Sequence, residues 1–182
     1  MPEQNDMNGP RPLASAADIS VESHLELYKD WVTKSQGKKM PTANSIDLLD
    51  YSGDALYWII LDVFQAEKDY KFRFVGPDLV KLFGVEPTGL SLNKASAEAS
   101  YPIFVKNSRK ILDMVVETRA PVVKGPTTTV FQSGSFVSVT SISLPMGSDD
   151  GPVKQIVCAL QIVFSDKSIA MDTNWRKATH TI

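Results

Sequence analysis

The chain has 182 residues, 43% of them hydrophobic and 22% charged, which fits one globular domain with decorated ends and excludes a chain too polar to bury a core. With 19 basic and 21 acidic residues the formal net charge is -2, so no basic field is present to neutralise a run of phosphates and nucleic acid is not the expected ligand. The longest apolar stretch, Tyr57 to Phe64, is interrupted by Asp62 and is far shorter than the roughly 20 residues of a membrane span.

Met1 to Pro10 holds Glu3 and Asp6 rather than the basic start and apolar run of a secretory signal, so the cytoplasm is the expected compartment. The lone Cys158 agrees, because it can form no internal disulfide. Residues 1 to 18 are rich in Pro, Asn, Gly, Ser and Ala without an apolar period and read as a mobile arm. Val21, Leu25, Tyr28 and Val32 then follow at i, i+4, i+7 and i+11, with Leu27 and Trp31 widening the stripe. This spacing predicts an amphipathic helix over about 20 to 36. Ser20 can cap it, Ser23 with Glu26 offers a capping box instead, and Gly37 ends it.

Ser45 to Asp54 has a helical flavour around Leu48 and Leu49. Tyr57 to Phe64 concentrates aromatic and β-branched residues, as a buried strand does, and Tyr70 to Val75 alternates Phe72 and Phe74 with Lys71 and Arg73. With Glu67-Lys68-Asp69 as the turn, the two make a hairpin. Gly76-Pro77-Asp78 starts a short helix through Leu79 and Phe83 that ends at Gly84. The longest internal helix spans Pro102 to about Thr118, with Phe104, Ile111, Leu112 and Val115 on one face and Lys106, Arg109, Lys110 and Asp113 on another. Pro121 and Pro126 bracket a short extended piece, Val122 to Lys124. Two long strands follow, at about Thr127 to Leu144 with Gly134 as a bulge or break, and at Val153 to Phe164. Asp150-Gly151 suits a positive φ in the hairpin between them. The order describes an α+β fold, an antiparallel sheet with helices on one face.

That order, and the residues filling it, resemble the PAS domain, and in particular a compact proteobacterial PAS-like family. The likeness is carried by Lys71-Phe72-Arg73-Phe74-Val75-Gly76, Leu79, Phe83-Gly84 and Glu86-Pro87-Thr88-Gly89, then by Ala120-Pro121-Val122-Val123 and Ser141-Ile142-Ser143-Leu144-Pro145. It covers about residues 24 to 164 and implies a five-stranded antiparallel sheet that encloses an apolar pocket beneath the long helix. The domain, with its leading helix, then occupies residues 19 to 164, followed by a tail at 165 to 182. The resemblance implies a sensor or a mediator of protein contacts rather than an enzyme. Ser165 to Ile182 is too short for an output domain, so such a domain would act in trans on a signalling protein such as a histidine kinase. It also implies that the leading helix packs on the outer sheet face or on a second copy, which makes Val21, Leu25, Tyr28, Trp31 and Val32 the candidate homodimer surface.

The chemistry on offer is sparse. His24 and His180 are the only histidines, both expected at the surface, which leaves no material for a metal site or a Ser/His pair. Pro102 to Thr118 has neither His nor Cys to ligate haem, and Met114 reads as core filling. Cys158 lies on a strand and lacks the Asn-Cys-Arg helix context of the photoactive flavin-binding PAS class. Haem and flavin are therefore disfavoured, and Cys158 reads as an inert buried thiol. No Gly-rich phosphate cradle occurs. By strand parity Ile156, Cys158, Leu160 and Ile162 face the core, as do Phe72 and Phe74, under Phe104, Ile111 and Val115. If a cavity exists there, a small apolar molecule is its expected ligand, and Ser138 and Thr140 are the expected polar groups beside it. A bulge at Gly134 would keep those two on one face and can turn both outward. Two other readings stand beside the sensor: a small isomerase or lyase using Asp62 as base, and a purely structural dimerisation module.

Overall fold

The computed structural model describes residues 8–51, 53–97, 108–130 and 136–164. Among them, Arg11–Pro12 (β1), Trp58–Phe64 (β2), Asp69–Val75 (β3), Val122–Val130 (β4), Phe136–Gly147 (β5) and Val153–Phe164 (β6) form one antiparallel sheet in the spatial order β1-β4-β5-β6-β2-β3. The helices are Glu22–Ser35 (α1), Pro77–Phe83 (α2), Leu92–Ala97 (α3) and Arg109–Thr118 (α4). The chain leaves the sheet at one edge, β3, passes through α2, α3 and α4, and re-enters near the other edge at β4. The β5–β6 hairpin then brings it back to β2, where Trp58 to Asp62 pair with Ala159 to Gln155.

The α+β reading holds, with three differences of detail. The sheet has a sixth strand because Arg11 and Pro12 pair with Val123 and Val122, and Leu13 donates its N–H to the Pro121 carbonyl at 2.8 Å. Nothing in an Arg-Pro pair signals a strand, so this part of the segment read as a mobile arm owes its conformation to the open edge of β4. Second, the expected strand from Thr127 to Leu144 is two strands: β4 continues from Val122 through Gly125–Pro126 to Val130, and Val130 pairs with Phe136 at the start of β5. Gly134 lies outside the described residues. Third, the β5–β6 connection runs from Ser148 to Pro152, with the Gly151 N–H bonded to the Ser148 carbonyl at 3.2 Å. This longer loop gives Gly151 no positive φ.

Glycine is required where backbone segments meet. The Gly76 N–H donates to the Trp58 carbonyl at 2.8 Å, and a Cβ there would lie 2.2 Å from the Leu56 carbonyl oxygen. Gly84 ends α2 at φ 70, in the left-handed region that costs other residues roughly 1 kcal/mol or more.

Helix α1 packs against β5 on the sheet face opposite α4. Its buried side chains are His24, Leu27, Trp31 and Ser35, spaced i, i+3, i+7 and i+11. The periodicity is as predicted, but the face is turned from Leu25 and Val32 toward Leu27. The Trp31 indole N–H donates to the Pro145 carbonyl at 2.8 Å, and the Tyr51 hydroxyl donates to Asp30 at 2.7 Å while its ring lies 4.8 Å from that of Trp58, tilted by 43°. Burying Leu27 and Trp31 contributes roughly 2 kcal/mol each. Neither expected cap is used: the N-cap is Val21, without a side-chain hydrogen bond. His24, expected at the surface, is only 3% exposed, and burial lowers its pKa to about 4. It is neutral at pH 7 and serves as a core residue.

Candidate functional site

Residues directly opposite each other on neighbouring strands share a face, so the pairing register builds the inner wall from the backbone outward. Ile59 of β2 lies opposite Cys158 of β6, which in turn lies opposite Ser143 of β5. Leu160 lies opposite Ser141, and Ser141 opposite Lys124 of β4. Leu61 pairs with Phe72 of β3, and Val139 with Thr127. Ile111 and Leu112 of α4 close the space above them. The result is a cavity of about 190 Å3 between sheet and helix, floored by aliphatic side chains with a row of hydroxyls along its β4–β5 side.

Both ends of α4 are tied down. At its start, Arg109 donates to the Lys68 carbonyl at 3.0 Å, pairs with Asp69 at 3.6 Å and sits over the Tyr70 ring. The Tyr70 hydroxyl donates to Asp113 at 2.6 Å; burial and that carboxylate raise the Tyr70 pKa well above the usual phenol value. At the other end Arg119 takes the left-handed C-cap conformation and donates to the Asp149 carbonyl in the β5–β6 loop. The lid over the cavity is thus bonded to the β2–β3 turn and to the far hairpin. A molecule that displaces α4 displaces both.

The cavity offers binding groups and little catalytic chemistry. Ser143 donates its hydroxyl to the Cys158 sulfur at 3.3 Å, and burial pushes the Cys158 thiol up to about 11. It stays protonated at pH 7 and is a poor nucleophile. Asp62 points to the opposite face, where Arg73 Nε reaches its two oxygens at 2.8 and 3.0 Å and the Gln155 amide approaches at 3.3 Å. Its carboxylate is engaged in an ion pair outside the cavity. Among the described residues no group of three or more His, Cys, Asp or Glu is placed to hold a metal ion. Met114 is half-buried on α4 and does not line the cavity.

Of the residues assigned to a pocket, Phe72, Ile111, Cys158 and Leu160 line this cavity together. Val115 is fully buried but lies outside the wall, and Phe104 is outside the described residues. Phe74 is turned away: Leu61 pairs with Phe72 but Ile60 pairs with Phe74, so Arg73 is an extra, bulged residue and the alternation inverts across it. Ser138 and Thr140 are also on the other face, opposite Val163 and Gln161. The polar groups at the cavity are instead Lys124, Thr127, Thr128, Thr129, Ser141 and Ser143, with Ser108 at the start of α4. Sequence reasoning missed Ser141 and Ser143 because it took β5 from a strand reaching back to Thr127. Pairing the inward Cys158 and Leu160 with the facing strand selects them at once.

Of the candidate dimer residues, Val21 and Trp31 are buried in the domain's own core, Leu25 and Tyr28 are half-buried, and Val32 is 46% exposed. No helix among the described residues is long and apolar enough to cross a membrane.

The PAS domain family profile matches residues 19–161. No curated protein matches the chain. Several solved structures are similar at low identity. The PAS domain of BvgS from Bordetella pertussis is 14% identical, covering 74% of this chain and 99% of that one with a TM-score of 0.43. A light-oxygen-voltage domain studied with a flavin analogue is 14% identical over 71% of this chain and 92% of its own, with a TM-score of 0.40. An RNA-binding light-oxygen-voltage receptor is 15% identical over 78% of this chain and 42% of its own, with a TM-score of 0.43. With the family profile spanning β2 to β6 and both hairpins, this chain belongs to the PAS domain family, whose members are generally sensory and regulatory modules.

Proposed function

We propose that this PAS domain is a non-enzymatic cytoplasmic sensor in which a small, largely apolar molecule occupies the cavity beneath α4 and alters contacts with another protein. One observation carries the reading: a cavity of about 190 Å3 with an aliphatic floor and with hydroxyls and one ammonium along its β4–β5 side, the composition of a ligand site rather than of a packing defect. The bonds from Arg109 and Arg119 to two separate hairpins supply the route from occupancy to surface. The output is a signalling protein such as a histidine kinase, or a second copy docking on Leu25, Tyr28 and Val32 of α1. Catalysis by Asp62 is not part of this reading, because its carboxylate lies on the wrong face.

The chain's own residues argue against haem and against a cysteine-linked flavin. His24 sits on α1 across the sheet from the cavity, and the cavity thiol is on β6. Native mass spectrometry and an absorption spectrum of the purified protein, followed by thermal-shift measurements against a mixed fragment set, test the reading. A colourless protein whose Tm rises with small apolar fragments supports it. A flavin or haem band overturns the cofactor part, and an unmoved Tm with every fragment overturns the sensor part.

A further inference from the structure

The wall of the cavity contains one charged side chain among the described residues, Lys124, and no acid. Lys124 makes no ion pair among those residues, although the chain carries more acidic than basic groups. It stands directly opposite Ser141 in the β4–β5 ladder, so the two side chains leave the sheet side by side, their Cβ atoms about 5 Å apart. Ser143, the next hydroxyl along, is already committed to the Cys158 sulfur. An ammonium and a hydroxyl at that spacing can hold the two oxygens of one carboxylate, with the rest of the molecule directed toward Leu61, Phe72, Ile111 and Leu160. A cavity of about 150 Å3 accommodates a benzene ring, so this one takes an apolar body of about six carbons. Among the described residues a doubly charged acid has one cation to meet, and its second charge would lie against aliphatic wall at a large desolvation cost.

We propose that the ligand is a small monocarboxylate with an apolar body, an aromatic or medium-chain acid of the size of benzoate or hexanoate, gripped by Lys124 and Ser141. This rests on reading the cavity as a ligand site, and it commits that reading to a chemical class.

The test uses the full chain and two pairs of probes that differ only in the anchoring group: benzoate against benzyl alcohol, and hexanoate against hexanol. Affinity is measured by calorimetry, and occupancy by methyl chemical-shift changes at the cavity residues Leu61, Ile111 and Leu160. Wild type should bind the acids at least about tenfold more tightly than the alcohols, since hydrogen bonds to charged groups outweigh neutral ones by that order. Lys124→Met should lose that preference, while Lys124→Arg retains most of it. Ser141→Ala should weaken the acids several-fold. Alcohols bound as tightly as acids, with the cavity methyl groups shifted by both, would overturn the carboxylate assignment and leave the ligand site standing. Acids bound equally well by Lys124→Met, or bound without shifting those methyl groups, would overturn it too. If no probe of either kind shifts them, both the assignment and the ligand-site reading fail. The acid-to-alcohol comparison on wild type needs no variant, so it decides even if Lys124→Met does not fold.

Discussion

Acidification should destabilise this domain through His24 before its carboxylates begin to titrate. The imidazole is buried under α1, and desolvation lowers its pKa from 6.5 to about 4. The unfolded chain therefore binds a proton between those values while the folded one does not. Stability is fully present above pH 6.5 and is lost as pH falls toward 4, because the proton must enter a site with no room for its hydration. One pKa unit corresponds to about 1.4 kcal/mol, so moving from pH 8 to pH 5 removes about 2 kcal/mol on this account alone. Urea unfolding followed by tryptophan fluorescence at half-unit pH steps measures it directly. His24→Leu, which keeps the volume and removes the titration, should flatten the curve by that amount, whereas His180→Gln should not. Coincident pH profiles for wild type and His24→Leu between pH 8 and 5 would refute the burial argument.

Other outcomes follow from contacts equally specific. Gly76→Ala places a methyl 2.2 Å from the Leu56 carbonyl oxygen and 2.4 Å from that of Ala55; it should cost about 3 kcal/mol or more in chemical denaturation, since backbone cannot yield as a side chain does. Asp62→Asn breaks the pair with the half-exposed Arg73 and should cost less than about 1 kcal/mol while leaving ligand-induced Tm shifts unchanged; loss of ligand response in this variant would revive the catalytic reading. Trp31→Phe removes the donor to the Pro145 carbonyl and leaves a buried acceptor unpaired, at about 1 to 3 kcal/mol.

Much of the architecture is legible in the chain because its signals are local. The aromatic strand at Trp58 to Phe64, the Gly-Pro start and Gly84 stop of α2, and the Ile111-Leu112-Val115 stripe each record a backbone preference in residues a few positions apart. The site was only half legible, for a physical reason. Cys158 and Leu160 sit in a strand of unbroken alternation, so parity assigns their face correctly. Phe74 does not, because the bulge at Arg73 inverts the alternation and nothing in Phe-Arg-Phe announces it. Lys124 ends a short extended piece between two prolines, and nothing local assigns its face. Its place in the cavity wall is set by its pairing with Ser141, a partner 17 positions away that local sequence does not name. His24 failed for a similar reason: the helix was right, and the face it buries was decided by β5 of the sheet.

If the space between α4 and the sheet is a ligand site, methyl and amide chemical-shift mapping with small apolar fragments, including benzoate, should detect it. Saturable shifts should concentrate on Leu61, Ile111, Val139, Ser141 and Leu160, with smaller changes at Arg109 and Arg119 where α4 is anchored. Shifts confined to the exposed residues of α1, or no saturable shift from any fragment, would contradict it.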